Sequence, residues 1–349
     1  MFTNELNQSA TLPHVQDCQT KHKLHKALRS LVREYQELNG TEVKKYDHTP
    51  TPLQMYRECI SPGRPAVITG AIDHWYARKG WTNEYLRNRI GDQMITVAST
   101  PNGLADALTL DPVSGKEYFA MPYEKKMPFN DFLDIMLGEE SEYPHYASLQ
   151  NSSLTTEYKS LVEDVDPDIP WFTEALGREP DAINFWFGDS RSKTCLHKDP
   201  YENCYAVVRG TKTFVLLPPI EYYCVHESSF PCATYVLDAN GKLKLEPLSG
   251  TMKTPCSPVD PSNPDLERFP RFRYAKPITV TVREGEMLYL PAFWMHQVTQ
   301  DGEEGVIAVN YWYDLDYQSI LYPTVSHLRR LVASVLDDQE DLGESDGED

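Results

Sequence analysis

The 349-residue sequence predicts a mainly β protein, a sandwich, barrel or jelly roll with helical additions at both ends. Three observations predict it. From about residue 141 to 314 the chain is a series of short runs rich in β-branched and aromatic residues, punctuated by Gly, Pro and Asn-Gly turns. The flanking segments instead carry apolar residues at helical spacing. Finally, 40% of residues are hydrophobic and 11% aromatic, enough for a sizeable core and too many for a disordered chain.

Each element follows in order. Residues 1–50 begin polar and then read "KHKLHKALRSLVREYQELNG", which places Leu24, Leu28, Leu31, Val32, Tyr35 and Leu38 on one helical face before Gly40 ends the helix. A helix packed on the core explains that stripe better than a membrane role. Residues 51–140 are expected to form an α/β lead-in to the same domain. There "SPGRPAVITGAIDHW" is a turn and a buried strand, "WTNEYLRNRIG" a capped helix, "DQMITVAST" a strand, and "MPFNDFLDIMLG" a helix starting near Asn130. Helices and strands are expected to alternate until about residue 140.

The β region, 141–314, contains "HYASLQ", "AINFWFGD", "CYAVVRGTKTFVLLPP", "ATYVLD", "PITVTVREGEMLYLPAFWMHQVTQ" and "GVIAVNYWYD". The Pro-rich "TPCSPVDPSNPDLERFP" is expected as a long insertion between strands. Residues 315–336 have helical character. Residues 337–349 hold eight acidic residues and no basic one, the pattern of a solvated, disordered tail.

Composition excludes several classes. The net charge of −19 argues against direct nucleic-acid binding, since phosphate contacts need a basic face. No run approaches 18 apolar residues, so no membrane span is expected. The N-terminus lacks the basic start and apolar run of a secretory signal. Seven cysteines without a CxxC pair suit a reduced intracellular compartment and speak against a Cys-based zinc site. There is no P-loop, GxSxG, HExxH or internal repeat.

One constellation carries chemistry. In "TCLHKDPYENCYAVVRGTKTFVLLPP", His197 and Asp199 stand two apart, so on a strand they face the same way. His296 closes "GEMLYLPAFWMH", a strand leading into a turn. Two His and one carboxylate with open coordination positions match the facial triad of non-haem Fe(II) oxygenases. A bare His-x-Asp is common at surfaces, so it proves little alone. Lys212 is a lone cation in an otherwise apolar strand, and Asn310 a polar side chain in another. Burying such groups is costly unless they are paired. For Lys212 an exposed edge position beside a Gly turn fits the spacing equally well.

The stretch "NFWFGDSRSKTCLHKDPYENCYAVVRGTKTFVLLPP", with "REGEMLYLPAFWMHQV" and "IAVNYWYD", resembles the jumonji-C family of 2-oxoglutarate- and Fe(II)-dependent oxygenases. "PWFTEALGREPDAINFWFG" and "LHKDPYENCYAVVRGTK" are most similar to its bifunctional peptidase and (3S)-lysyl hydroxylase branch. The resemblance runs from about Leu53 through the C-terminal helices. It implies a double-stranded β-helix, the cupin-like jelly roll, and C-terminal helices that support a homodimer. It makes His197, Asp199 and His296 the iron ligands and catalytic centre. Lys212 would pair with the distal carboxylate of 2-oxoglutarate, with hydroxyls donated by Thr194 and Tyr146, while Asn203 and Asn310 lie near cosubstrate or iron. Pro200 should only stiffen its strand, and Cys195 and Cys204 are expected as small buried hydrophobes. Trp186, Trp294, Trp312 and Tyr311 are expected as core residues or pocket walls.

The activity so implied consumes 2-oxoglutarate and O₂, gives succinate and CO₂, and hydroxylates a lysyl side chain. The protein substrate would carry that lysine in a basic segment, and the family's target is the developmentally regulated GTP-binding proteins. Cleavage of histone tails by an endopeptidase activity, methyl-lysine demethylation and a catalytically silent binding module are the alternatives. A cytoplasmic or nuclear location follows from the same reading.

Overall fold

A computed structural model describes residues 18–138 and 141–336. The polar start and the acidic tail at 337–349 lie outside the described residues. In chain order the lead-in consists of α1 (Cys18–Asn39), β1 (Lys44–Tyr46), α2 (Pro52–Met55), β2 (Ala66–Thr69), α3 (Ala77–Gly80) and α4 (Asn83–Ile90). Then come β3 (Met94–Ser99), β4 (Leu104–Ala105), β5 (Ala107–Leu110), β6 (Glu117–Met121), β7 (Tyr123–Pro128) and α5 (Phe129–Leu137). The β region holds β8 (His145–Ala147), α6 (Pro170–Leu176), β9 (Ala182–Gly188), β10 (Lys193–His197), β11 (Tyr201–Arg209) and β12 (Thr211–Leu217). It continues with β13 (Ser228–Leu237), β14 (Leu243–Pro247), β15 (Lys253–Cys256), β16 (Ile278–Arg283), β17 (Glu286–Leu290), β18 (Met295–Asp301) and β19 (Val306–Asp314). Helix α7 (Leu321–Leu336) follows.

Two sheets face each other as a jelly roll. One has the order β1-β2-β17-β11-β19-β9-β8-β3-β7, the other β16-β12-β18-β10-β4. A third sheet, β14-β13-β6-β5 with β15 paired to β13, is separate from both. Side-chain parity explains the stacking. On β11, Tyr205 and Val207 join the cluster between the two sheets, with Phe214 and Leu216 of β12 and Val280 and Val282 of β16. Their neighbours Cys204, Ala206 and Val208 turn the other way, against Trp81, Phe132 and Phe172 of the helical layer. The large sheet is therefore buried on both faces, which is why β19 is buried from Val306 to Tyr313 and reads, apart from Asn310, as an apolar run rather than an alternating one.

Some expectations needed correction. Four strands, β4 to β7, occupy the lead-in where helices and strands were expected to alternate. Helix α1 buries Leu28 and Val32, but Leu31 and Leu38 are exposed. Its buried stripe is rotated toward Gln36, which donates to Glu221 (2.6 Å) beneath it. Gly40 does end that helix, at φ 63°, with its N–H on the Gln36 carbonyl. Thr82 caps α4 by accepting from the Tyr85 N–H (3.1 Å). Helix α5 starts at Phe129, beside the expected Asn130, with Pro128 rather than a polar side chain at the cap position. The Pro-rich insertion contains strand β15. No described helix is long and apolar enough to cross a membrane.

Candidate metal centre and its cavity

The jelly roll opens at one end into a cavity of about 710 Å³, counting its mouth. Every site residue read from the sequence lines it: Tyr146, Thr194, His197, Asp199, Asn203, Lys212, His296 and Asn310. Among the described residues, His197, Asp199 and His296 form the one group of three His, Cys, Asp or Glu side chains suited to hold a metal ion, their ligand atoms all within 4.8 Å of one another.

Strand geometry brings them there. His197 on β10 and His296 on β18 are direct cross-strand partners. A register shift between Thr194 and His197 lets both face the cavity although they are three residues apart. Leu196, between them, turns into the opposite apolar cluster. Asp199 is not on the strand, as its spacing had suggested: β10 ends at His197. Its backbone carbonyl instead accepts the Phe293 N–H (2.9 Å), in a turn where Phe293 takes φ 65°. Pro200 likewise lies between strands rather than within one.

The three ligand atoms are arranged for one cation. Asp199 Oδ2 stands 3.7 Å from His197 Nε2 and 3.6 Å from His296 Nε2. Ligands roughly 2.1 Å from a shared ion sit about 3–4 Å apart, so the set fits a metal. The far ring nitrogens confirm the tautomer: His197 Nδ1 lies 2.8 Å from the Cys195 carbonyl and His296 Nδ1 2.9 Å from the Trp294 carbonyl. A carbonyl only accepts, so each Nδ1 carries the proton and each Nε2 keeps its lone pair for a ligand bond. Burial, and next the His197 ring, holds His296 down at about 4, in the neutral form a metal requires.

Lys212 is buried at 1% exposure, which overturns the edge-strand alternative. It sits near the start of β12, which runs between β16 and β18, opposite Gln300. Its ammonium donates to Gln300 Oε1 (2.6 Å) and Tyr146 Oη (2.9 Å), and among the described residues no carboxylate pairs with it. Burial alone pulls it down to about 7. Tyr146 reaches it because Gly188, its cross-strand partner, has no side chain. A Cβ there would lie 2.6 Å from the Tyr146 ring. On the opposite wall Trp186 donates to Asn310 Oδ1 (2.7 Å), and Asn310 Nδ2 donates to Asn203 Oδ1 (3.0 Å), fixing both amides.

Sequence reasoning missed Gln300, Tyr205 and Asp106. The first two were hidden as ordinary strand positions, although Gln300 stands directly opposite Lys212 once β12 and β18 pair. Asp106, exposed at the cavity mouth, adopts φ 51° just beyond β4, and nothing in its local sequence signals that. Trp186 and Trp312 line the cavity, whereas Trp294 and Tyr311 belong to the core. Cys204 is fully buried, while Cys195 is only partly so and donates to the Asp106 carbonyl. Burial pushes the Cys195 thiol up to about 12 and the Cys204 thiol up as well, so neither is a nucleophile.

Comparison with known proteins adds the context. Residues 52–319 match the profile of the cupin-like domain. The chain is 41% identical over 298 residues to the human bifunctional peptidase and (3S)-lysyl hydroxylase JMJD7, covering 83% of this chain and 92% of the relative. JmjC domain-containing protein E of Dictyostelium discoideum is 40% identical (77% and 83% covered). Lysine-specific demethylase JMJ32 of Arabidopsis thaliana is 37% identical (86% and 93% covered).

Proposed function

The chain belongs to the cupin-like JmjC-domain oxygenases, and from that premise we propose that it hydroxylates a lysyl side chain of a protein, using Fe(II), 2-oxoglutarate and O₂. One observation carries the reading: a three-ligand centre and an unpaired buried cation share one cavity. Fe(II), when bound, supplies the oxidative decarboxylation of 2-oxoglutarate to succinate and CO₂, coupled to oxidation of a C–H bond. His197, Asp199 and His296 would hold it and leave its remaining face open to the cavity.

The chain's own residues do the rest. The Lys212 ammonium receives the distal carboxylate of the cosubstrate, giving a charge-assisted bond to a group otherwise without a counter-ion. Tyr146 accepts from Lys212, so its own O–H is free to donate to that carboxylate, and Thr194 offers a second hydroxyl beside it. The indole–amide–amide chain from Trp186 to Asn203 fixes which amide atoms face the bound groups. Apolar walls from Phe214 and Val298 exclude water.

Two further charged groups line the cavity: Asp106 presents a carboxylate, and the Lys193 ammonium is already paired with Asp260 (3.0 Å), while Lys212 provides positive charge deeper inside. An anionic cosubstrate and a cationic side chain can therefore occupy one cavity without repulsion. This favours a lysine in a basic segment, and the developmentally regulated GTP-binding proteins fit that class. Such substrates agree with a cytoplasmic or nuclear protein. Demethylation of methyl-lysine is the second reading, favoured by the demethylase name of a 37% identical relative.

Mass spectrometry of a basic lysine peptide incubated with enzyme, Fe(II) and 2-oxoglutarate tests both. Oxygen added to unmodified lysine supports the hydroxylase. Methyl loss from methyl-lysine without such addition would replace it with the demethylase, and O₂-independent backbone cleavage would replace it with a peptidase. His197→Ala and Asp199→Ala should each reduce succinate release to background while the circular dichroism spectrum is retained. Either variant turning over at the wild-type rate would refute the ligand assignment.

A further inference from the structure

Behind the metal-binding strands lies a second layer that the reading above does not use. Leu196 and Met295, the residues just before His197 and His296, are buried at 1% and 2% exposure. Both belong to the apolar cluster that holds Leu28 and Val32 of α1 with Leu328 and Val332 of α7. The two terminal helices thus pack against the backs of both ligand-bearing strands.

A charged hub ties this layer to the third ligand. Glu227, whose side chain is only 6% exposed, stands between a 3-10 turn (Pro219–Cys224) and β13. One carboxylate oxygen accepts from Lys198 Nζ (2.5 Å). The other accepts from Arg329 Nε of α7 (2.8 Å) and from the Tyr222 hydroxyl. Lys198 also lies over the Tyr222 ring, 5.2 Å from its centroid. Although burial opposes it, the paired Lys198 and Arg329 charges keep the Glu227 carboxyl below its ordinary range, hence ionised. Lys198 is the residue between His197 and Asp199. Since β10 ends at His197, strand pairing does not fix Asp199; the Phe293 N–H bond and the Lys198 anchor hold its loop.

We propose that Glu227 is a positioning residue for the metal centre: by gripping Lys198 and α7 Arg329 together, it sets the loop that aims Asp199, and so makes metal affinity depend on docking of α7. The inference rests on the metal-site reading above. It also has a reciprocal form, because a metal that is bound more tightly when α7 is docked must itself favour docking.

Binding of Mn(II) alone, measured by titration without cosubstrate or turnover, tests it. Lys198→Met, Arg329→Met and Glu227→Gln should each weaken Mn(II) binding by about tenfold or more, the usual scale for an outer-shell partner of a ligand. Lys198→Arg, which keeps the ion pair, should restore most of it. In the wild type, Mn(II) should slow amide hydrogen exchange across 321–336, and in Lys198→Met it should not. If Glu227→Gln does not fold, the two cation variants still decide. Wild-type Mn(II) affinity in both of them, or exchange in α7 indifferent to Mn(II), would overturn the proposal. Failure of wild type to bind Mn(II) more tightly than His197→Ala would instead refute the metal site itself.

Discussion

Lys212 shows how a single residue sets the working conditions of the site. An ammonium at 1% exposure with only neutral partners is held at about 7 by burial. The unfolded chain keeps such a lysine at its ordinary, higher value, so from about 7 upward the folded state binds fewer protons. Stability therefore rises with pH across that window, and the cost of the buried charge is fully present below it. Cosubstrate binding has the opposite sign. With Lys212 as the proposed partner of its carboxylate, the dianion needs the protonated lysine, so above about 7 binding must first take up a proton. Affinity for 2-oxoglutarate should be highest below neutrality and fall by up to about tenfold per pH unit above it. Lys212→Met should remove this dependence and weaken binding by roughly 2–5 kcal/mol, with metal affinity unchanged. Calorimetric titration on both sides of neutrality checks this; equal affinity at both would mean that Lys212 does not carry the contact.

Among the elements, strand parity made much of the site legible in the sequence. Lys212 and Asn310 were suspect because a polar group in an apolar run calls for a partner, Asn203 was named only by the family resemblance, and each does face the cavity. Parity also misled. A regular strand would turn Thr194 away from His197, and only the register shift on β10 reunites them. That shift depends on pairing with β18, about a hundred residues away, so no local pattern encodes it. The same holds for β4 to β7, whose short pairings give too few residues for a periodic signal. The close approach of β8 and β9 supplies a test at this scale. In Gly188→Ala the new Cβ would meet the Tyr146 ring at 2.6 Å and Gln300 Nε2 at 3.1 Å. Displacing these two partners of Lys212 should weaken 2-oxoglutarate binding and lower stability by about 1–3 kcal/mol, as overpacking does. Metal affinity should not change, and unaltered cosubstrate affinity would show that Tyr146 is dispensable.

For the whole molecule, charge and topology both bear on function. A net charge of −19 and a carboxylate at the cavity mouth should draw basic segments inward. The kcat/KM for a basic lysine peptide should therefore fall several-fold as salt rises from about 0.01 M to 0.15 M, where the screening length drops from roughly 30 Å to 8 Å. Asp106→Asn should raise KM while leaving kcat near wild type. A salt-independent KM in the wild type would remove electrostatics from recognition. Topology matters in another way. Helices α1 and α7 meet behind the metal-binding strands, and β2 pairs with β17, so early and late parts of the chain complete one another. While the polypeptide is still emerging from the ribosome, His197 and Asp199 are made long before β18 and α7 exist to back them. Contacts of such sequence separation form late. The nascent chain would then carry an incomplete set of ligands, and a metal would be held firmly only once β18 has supplied His296.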